Sequence, residues 1–233
     1  MPEPSFTYNF HELKIDKPMI TLMASGLSIC DIPLDQLNYH KRHSYFISTN
    51  YPLALKFPGF SPDAHVWSDH KTTEFMKTWE ETHPKDCVWI SRNLAFNRAM
   101  ESYKIKGMVD HWYNNTYYNL TSNFTVFWIV QLLRRYHPTK PIALFGLDGY
   151  IPELPPVDGV VMSKWYDYYI KHDSSGRNHL HYSNALTRFV KDMEKDCEDN
   201  PLVWDLVFNC NLDSKVGNIQ KKSFEEVLSL VNF

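Results

Sequence analysis

The chain has 233 residues, of which 43% are hydrophobic and 22% are charged. This composition is typical of a folded globular protein and excludes intrinsic disorder, and the length predicts a single domain over residues 1–233. The formal net charge of −3 excludes broad binding of a nucleic-acid backbone, which requires a basic face, but it leaves room for a small pocket for one nucleotide.

We expect neither a signal for export nor a segment for membrane insertion. Residues 1–18 lack the apolar core of a signal peptide, and no run of about 18 apolar residues occurs along the chain. We therefore expect a cytoplasmic protein without a membrane span. The four cysteines lack the Cys-x-x-Cys spacing of a zinc site, so we expect buried free thiols and no metal.

Short apolar runs that stop at polar residues predict β-strands at 19–24, 44–49, 64–68, 87–90, 141–146 and, as the last strand, 202–209. Apolar periodicity behind a polar start predicts helices at 28–37, 72–81, 124–136, 181–197 and 223–231. The stretch 51–60 is predicted to be partly loop, and the stretch 94–119 is predicted to be irregular. Prolines, tyrosines and a Ser-Ser-Gly sequence predict a lid or small insertion at 150–180.

Strands that alternate with helices indicate an α/β fold with a mostly parallel sheet and helices on both faces. In such sheets a ligand binds beyond the carboxyl ends of the strands. The residues that follow the predicted strands are small or polar: Ser25, Gly26, Asn50, Asp69, Asn93 and Asp148. They are candidates for a binding site, although small polar residues also end strands for reasons of turn geometry alone.

The loop after the first predicted strand, 24–29, reads Ala-Ser-Gly-Leu-Ser-Ile. A small residue in a tight turn lets backbone amides approach an anion, which suits the phosphate of a nucleotide. An ordinary turn is the alternative, since the three spaced glycines of a dinucleotide site are absent. If the loop binds phosphate, Gly26→Val is expected to weaken nucleotide binding before it weakens folding.

Two further segments carry candidate site residues. Thr121 and Ser122 precede the predicted helix at 124–136, where they can both cap the helix and contact an anionic ligand. His179 and His181 follow the predicted lid, and a histidine at this place can act as a general base near neutral pH. A metal-binding pair and a structural histidine are the alternatives, and a His-x-His pair alone is weak support for a metal.

The order of these segments resembles that of known families. The 24–29 loop, Asn50 after a second strand, a Thr-Ser pair before a long helix, Phe-Gly-Leu-Asp-Gly-Tyr at 145–150 and a histidine after a lid resemble bacterial sialyltransferases of the lipooligosaccharide type. The same order is similar to that of a broader set of proteins that includes archaeal-type 6-hydroxymethylpterin pyrophosphokinases. The resemblance covers residues 19–220, and its last matching stretch is Phe-Asn-Cys-Asn-Leu-Asp-Ser-Lys-Val-Gly-Asn-Ile at 208–219.

The resemblance implies a Rossmann-like fold that holds a nucleotide between Ser25-Gly26 and Thr121-Ser122. It implies that the nucleotide or the activated sugar contacts residues from successive loops: Ser25, Gly26, Ser28, Asn50, Asp69, Asn93, Thr121, Ser122, Asp148 and Tyr150. It also implies that His181, or else His179, is the general base that deprotonates the acceptor hydroxyl.

The sequence departs from the sialyltransferase pattern at three places. Ala24 and Leu27 stand where the first loop usually has Gly and Pro. Asp69 stands in place of an Asn, and its carboxylate near a donor phosphate requires a metal or another cation to offset the repulsion. The tyrosine pair that supports the departing phosphate has three candidates, Tyr166, Tyr168 and Tyr169.

Three functions follow from these patterns. The first, which we favour, is a glycosyltransferase that moves a sugar from a nucleotide-activated donor, such as a CMP-sugar, to an acceptor hydroxyl without a cofactor. The second is a pyrophosphokinase or other phosphoryl transferase, in which Asp69 and Asp148 hold Mg²⁺. The third is a nucleotide-binding module without catalytic activity. The sequence leaves open whether the chain forms a homo-oligomer.

Overall fold

A computed structural model describes residues 13–67, 87–92, 111–113, 125–151 and 179–231. In this part of the chain one sheet contains the strands β1 Ile20–Met23, β2 Tyr45–Thr49, β3 Ala64–Trp67, β4 Val88–Arg92, β5 His111–Tyr113, β6 Ile142–Phe145, β7 Val207–Asn209 and β8 Gln220–Lys221. Their order across the sheet is β5-β4-β3-β2-β1-β6-β7-β8, and every neighbouring pair is parallel.

Parallel strands cannot be joined by hairpins, so crossover segments carry the chain back to the start of each next strand. The helices of the described residues are α1 Leu34–His43, α2 Thr125–Tyr136, α3 His179–Asp199, α4 Pro201–Trp204 and α5 Phe224–Ser229. Short 3-10 helices cover Leu27–Asp31 and Leu53–Leu55. Within the same residues, no helix combines the length and the apolar character that a bilayer crossing requires.

Apolar side chains pack on both faces of the sheet, because successive strand residues point to opposite sides. On β1, Ile20 and Leu22 belong to a core with α2 and α3, whereas Met23 belongs to a core with α1 and α5. All four residues of β1 and all four of β6 are buried, as is typical of central strands of a parallel sheet. The predicted Rossmann-like α/β fold, with a parallel sheet covered by helices on both faces, is confirmed.

Five predicted strands coincide with β1, β2, β3, β4 and β6, and three predicted helices, at 124–136, 181–197 and 223–231, coincide with α2, α3 and α5. The helix predicted at 28–37 is wrong in its bounds, because this stretch holds a 3-10 helix and only the first turn of α1. The strand predicted over 202–209 is wrong in its first half, which forms α4, and it is not the last strand. The irregular region 94–119 contains β5. The helix predicted at 72–81 and most of the predicted lid lie outside the described residues.

Candidate functional site

The progression of strands across the sheet reverses between β1 and β6. From β1 the chain moves outward through β2, β3, β4 and β5, and it returns to the other side of β1 with β6, β7 and β8. In open parallel sheets the crevice for a ligand lies at such a reversal, beyond the carboxyl ends of the two central strands. The loops after β1 and β6 contain Ser25, Gly26, Ser28 and Asp148, all of which the sequence marks as candidates.

Asp148 connects three loops at this edge of the sheet. Its buried carboxylate accepts hydrogen bonds from the Ser28 hydroxyl at 2.5 Å and from the Asn211 amide at 2.8 Å on Oδ1, and from the Ser28 backbone N–H at 3.0 Å on Oδ2. These three donors engage both carboxylate oxygens. The Ser28 amide, which the sequence suggests as a phosphate donor, is therefore already bound to an anion of the protein itself.

Gly26 lies directly against this carboxylate. Its N–H donates to the carbonyl of Gly146 at 2.8 Å, and its backbone is ordinary extended chain, with φ −67° and ψ 161°. A Cβ atom at this position would lie 2.5 Å from Asp148 Oδ2 and 2.5 Å from the Gly146 carbonyl oxygen. Glycine is thus required here because a side chain would collide with Asp148 and Gly146, whereas the sequence suggests that glycine makes room for a bound anion.

The second contact at this edge joins the loops after β1 and β2. The Asn50 side-chain amide donates to the Ser25 hydroxyl oxygen at 3.0 Å, and Asn50 has a left-handed backbone with φ 64°. The bond uses the Ser25 oxygen as an acceptor and does not consume its hydroxyl proton. Ser25, Ser28, Asn50, Asp148 and Asn211 together form what we call the switch-point cluster.

The loop after β7 supports the cluster, although the sequence pattern assigns it no role. Asn209 and Ser214, both buried, donate to the carbonyl of Leu147 at 2.9 and 2.6 Å. The Lys215 N–H donates to the carbonyl of Asp148 at 2.7 Å. The resemblance includes the segment 208–215 as a matching stretch but assigns it no role. Its polar side chains, Asn209, Asn211 and Ser214, are the feature of the sequence that could have placed it beside Asp148.

The structure brings five of the predicted residues, Ser25, Gly26, Ser28, Asn50 and Asp148, to one edge of the sheet. Tyr150 follows on the same loop and is exposed. The other predicted contacts, Asp69, Asn93, Thr121 and Ser122, lie outside the described residues. His179 and His181 fall in the first turn of α3, and their side chains also lie outside the described part of the structure.

The cysteines and the possible metal ligands are the other groups that could carry chemistry in the described part of the chain. Burial, with a smaller contribution from Asp196, raises the pKa of Cys197 to about 12, and burial also raises the pKa of Cys210. Both thiols are therefore protonated near neutral pH and are poor nucleophiles. Among the described residues, no three His, Cys, Asp or Glu side chains stand together as a metal site.

The arrangement offers hydroxyl and amide groups at the carboxyl edge of the parallel sheet, beside one buried carboxylate. Such groups can bind the oxygen atoms of a sugar or a phosphate. No protein-family model, characterised protein sequence or solved structure matches the chain. The case for a function therefore depends on the geometry of this site and on the chemistry of its residues.

Proposed function

We propose that the protein is a glycosyltransferase that uses a nucleotide-activated sugar, such as a CMP-sugar, and transfers the sugar to an acceptor hydroxyl in the cytoplasm. One observation carries the proposal: the loops after β1, β2, β6 and β7 gather the switch-point cluster at the reversal between β1 and β6. Nucleotides are typical ligands of this position in Rossmann-like folds. The donor itself is the substrate, so the reaction requires no further cofactor.

The charges of the cluster favour one side of the crevice for the donor phosphate. Asp148 is an anion that already occupies the Ser28 amide, and it repels a second anion at that corner. Ser25 and Asn50 are neutral and only half-buried. We therefore assign the donor phosphate to the side of Ser25 and Asn50, where a hydroxyl proton can be donated to a phosphate oxygen.

The direction of α3 supports His181 as the general base. α3 is followed by α4 and then by the amino end of β7, so α3 runs toward the amino side of the sheet and its first turn points toward the carboxyl side. Glu194, in the last third of α3, accepts from the Gly217 N–H at 2.9 Å in the loop after β7. A helix N-terminus also disfavours a protonated imidazole, which favours the neutral form that a base requires.

A thermal-shift panel of nucleotides, each with and without Mg²⁺, tests the proposal. CMP is expected to raise the melting temperature without Mg²⁺, because a ligand at 100 times its Kd stabilises the folded state by about 2.7 kcal/mol. Stabilisation by ATP alone, and only with Mg²⁺, would overturn the proposal in favour of phosphoryl transfer. The absence of a shift with every nucleotide would overturn it as well.

Once an acceptor is identified, paired variants locate the base within the same experiment. His181→Ala is expected to keep CMP binding and to lower turnover by a factor of about 10²–10⁴, whereas His179→Ala retains most activity. The reverse ranking assigns the role to His179. Full activity in both variants removes the α3 histidines from the mechanism.

A further inference from the structure

His65 is a buried histidine in β3 whose two ring nitrogens both meet polar atoms. Its side chain is 1% exposed. Nε2 lies 2.9 Å from the carbonyl oxygen of Asn50, and Nδ1 lies 2.7 Å from the hydroxyl oxygen of Ser48. The ring therefore connects the middle of β3 with the end of β2, directly beneath the switch-point cluster.

The chemistry of the two partners assigns the tautomer of the ring. A carbonyl oxygen can only accept a hydrogen bond, so Nε2 carries a proton and donates it to Asn50. In the neutral ring Nδ1 then accepts the hydroxyl proton of Ser48. Ser48, which is also buried, fixes the orientation of the ring from the side away from the cluster.

Asn50 is held in an uncommon conformation by bonds at both of its backbone groups. Its φ of 64° lies in the left-handed region, which is uncommon outside glycine and which Asn adopts more readily than most other residues. Its N–H donates to the carbonyl of Val66 at 2.8 Å, and its own carbonyl accepts from His65. In this conformation its side-chain amide donates to Ser25 at 3.0 Å.

We infer that His65 is a positioning residue for ligand binding: its Nε2–H holds the Asn50 carbonyl in the left-handed turn and thereby directs the Asn50 amide to Ser25. The part of the inference that concerns affinity rests on the proposed function, since it assumes that Ser25 and Asn50 bind the donor. The part that concerns the conformation of Asn50 stands on the geometry alone.

Two amide variants separate positioning from packing. The side-chain nitrogen of Gln reaches close to the Nε2 position of histidine, whereas that of Asn reaches only the Nδ1 position. His65→Gln therefore retains a donor for the Asn50 carbonyl, and His65→Asn does not. Asn also leaves a larger cavity than Gln at this buried site, so His65→Met, whose side chain is about as long as that of Gln but carries no donor, serves as the packing control. A purely structural role predicts that His65→Met behaves like His65→Gln, whereas a positioning role predicts that it behaves like His65→Asn.

The expected result is rescue by Gln alone. We expect His65→Gln to bind CMP with a Kd near that of the wild type and His65→Asn to bind about tenfold more weakly, the loss that one hydrogen bond explains. NMR of the free protein should show the Asn50 side-chain amide resonances unchanged in the Gln variant and shifted in the Asn variant. Equal CMP affinity or equal Asn50 resonances in the Gln and Met variants would overturn the inference.

The wild-type protein supplies a readout that depends on neither variant nor ligand. Imidazole ¹⁵N shifts should identify His65 as the Nε2–H tautomer near neutral pH. The Nδ1–H tautomer would overturn the inference even if both variants failed to fold. If the wild type does not bind CMP, the proposed function fails, while the Asn50 resonances and the tautomer still decide the role of His65.

Discussion

Gly26 has an ordinary backbone conformation, but the structure leaves no space for a side chain at this position. A Cβ atom there would stand 2.5 Å from the Asp148 carboxylate and from the Gly146 carbonyl, and the latter is fixed by its bond to the Gly26 N–H. We expect Gly26→Ala to lower the free energy of unfolding by about 1–3 kcal/mol, the usual cost of overpacking. Urea unfolding measures this loss. The close contact also reverses the order expected for Gly26→Val, since folding is now expected to suffer first.

Gly217→Ala is the matched control for this prediction. Gly217 is exposed, and a Cβ atom added there would lie closest to Glu194 Oε1, the end of a flexible side chain that can shift at the cost only of a solvent-exposed hydrogen bond to the residue 217 N–H. We expect this change to remain within about 0.5 kcal/mol of the wild type, as is usual for surface substitutions. Equal stability of Gly26→Ala and Gly217→Ala would contradict the close contact between Gly26 and Asp148.

At the scale of elements, the sequence predicts best where burial is strongest. β1, β2 and β6 are apolar runs whose residues are buried on both faces, so composition alone identifies them. β8 has two exposed residues, Gln220–Lys221, and carries no apolar signal. Pro201 stands at the first position of α4, where a proline favours the start of a helix, and this preference overrides the apolar run 202–209.

The site is predictable from the sequence only in part. The polar residues at the ends of β1, β2 and β6 can be predicted from the sequence to lie together, because the carboxyl ends of parallel strands lie at the same edge of a sheet. The bonds of Asp148 join residues 120 and 63 positions apart in the chain, and those contacts depend on the order of strands across the sheet. His65 interrupts an apolar strand, which is a visible signal, but its partner Asn50 becomes evident only when β2 and β3 are paired.

α5 begins with a capping box, which makes its start a testable element. The Ser223 hydroxyl accepts from the Glu226 N–H at 3.2 Å, and the Glu226 carboxylate accepts from the Ser223 N–H at 2.6 Å. The latter bond lowers the pKa of Glu226. Ser223→Ala is expected to reduce the free energy of unfolding by about 1 kcal/mol in urea titrations, since it removes an N-cap.

Ser229→Ala makes the same chemical change at the other end of α5. Ser229 is exposed, its hydroxyl donates to the carbonyl of Glu226 in its own helix, and Ala has the higher helix propensity. Its unfolding midpoint should equal or slightly exceed that of the wild type. A Ser223→Ala midpoint as high as that of Ser229→Ala would show that the capping box does not stabilise the helix.

At the scale of the whole molecule, α1 and α5 pack on one face of the sheet around the buried imidazole of His40. His40 of α1 is fully buried and stacks on Phe145 of β6 and on Phe224 of α5, with ring centroids 4.7 and 4.0 Å away. Neither of its ring nitrogens has a hydrogen-bond partner among the described residues. The face therefore packs well only while His40 is neutral, because a buried charge without a partner is costly.

This packing predicts a specific dependence of stability on pH. Burial lowers the pKa of His40 from 6.5 to about 4, so protons bind the unfolded chain more readily than the folded one. The contribution of neutral His40 is complete above pH 6.5 and is lost as the pH falls toward 4, by about 3 kcal/mol in total. His40→Leu replaces the imidazole with an apolar side chain that does not titrate. The other histidines are unchanged in this variant, so their contribution to the pH profile is the same in both proteins. Urea unfolding of both proteins between pH 7.5 and 4 should show the wild type losing more stability than the variant on acidification, and parallel pH profiles would contradict the prediction.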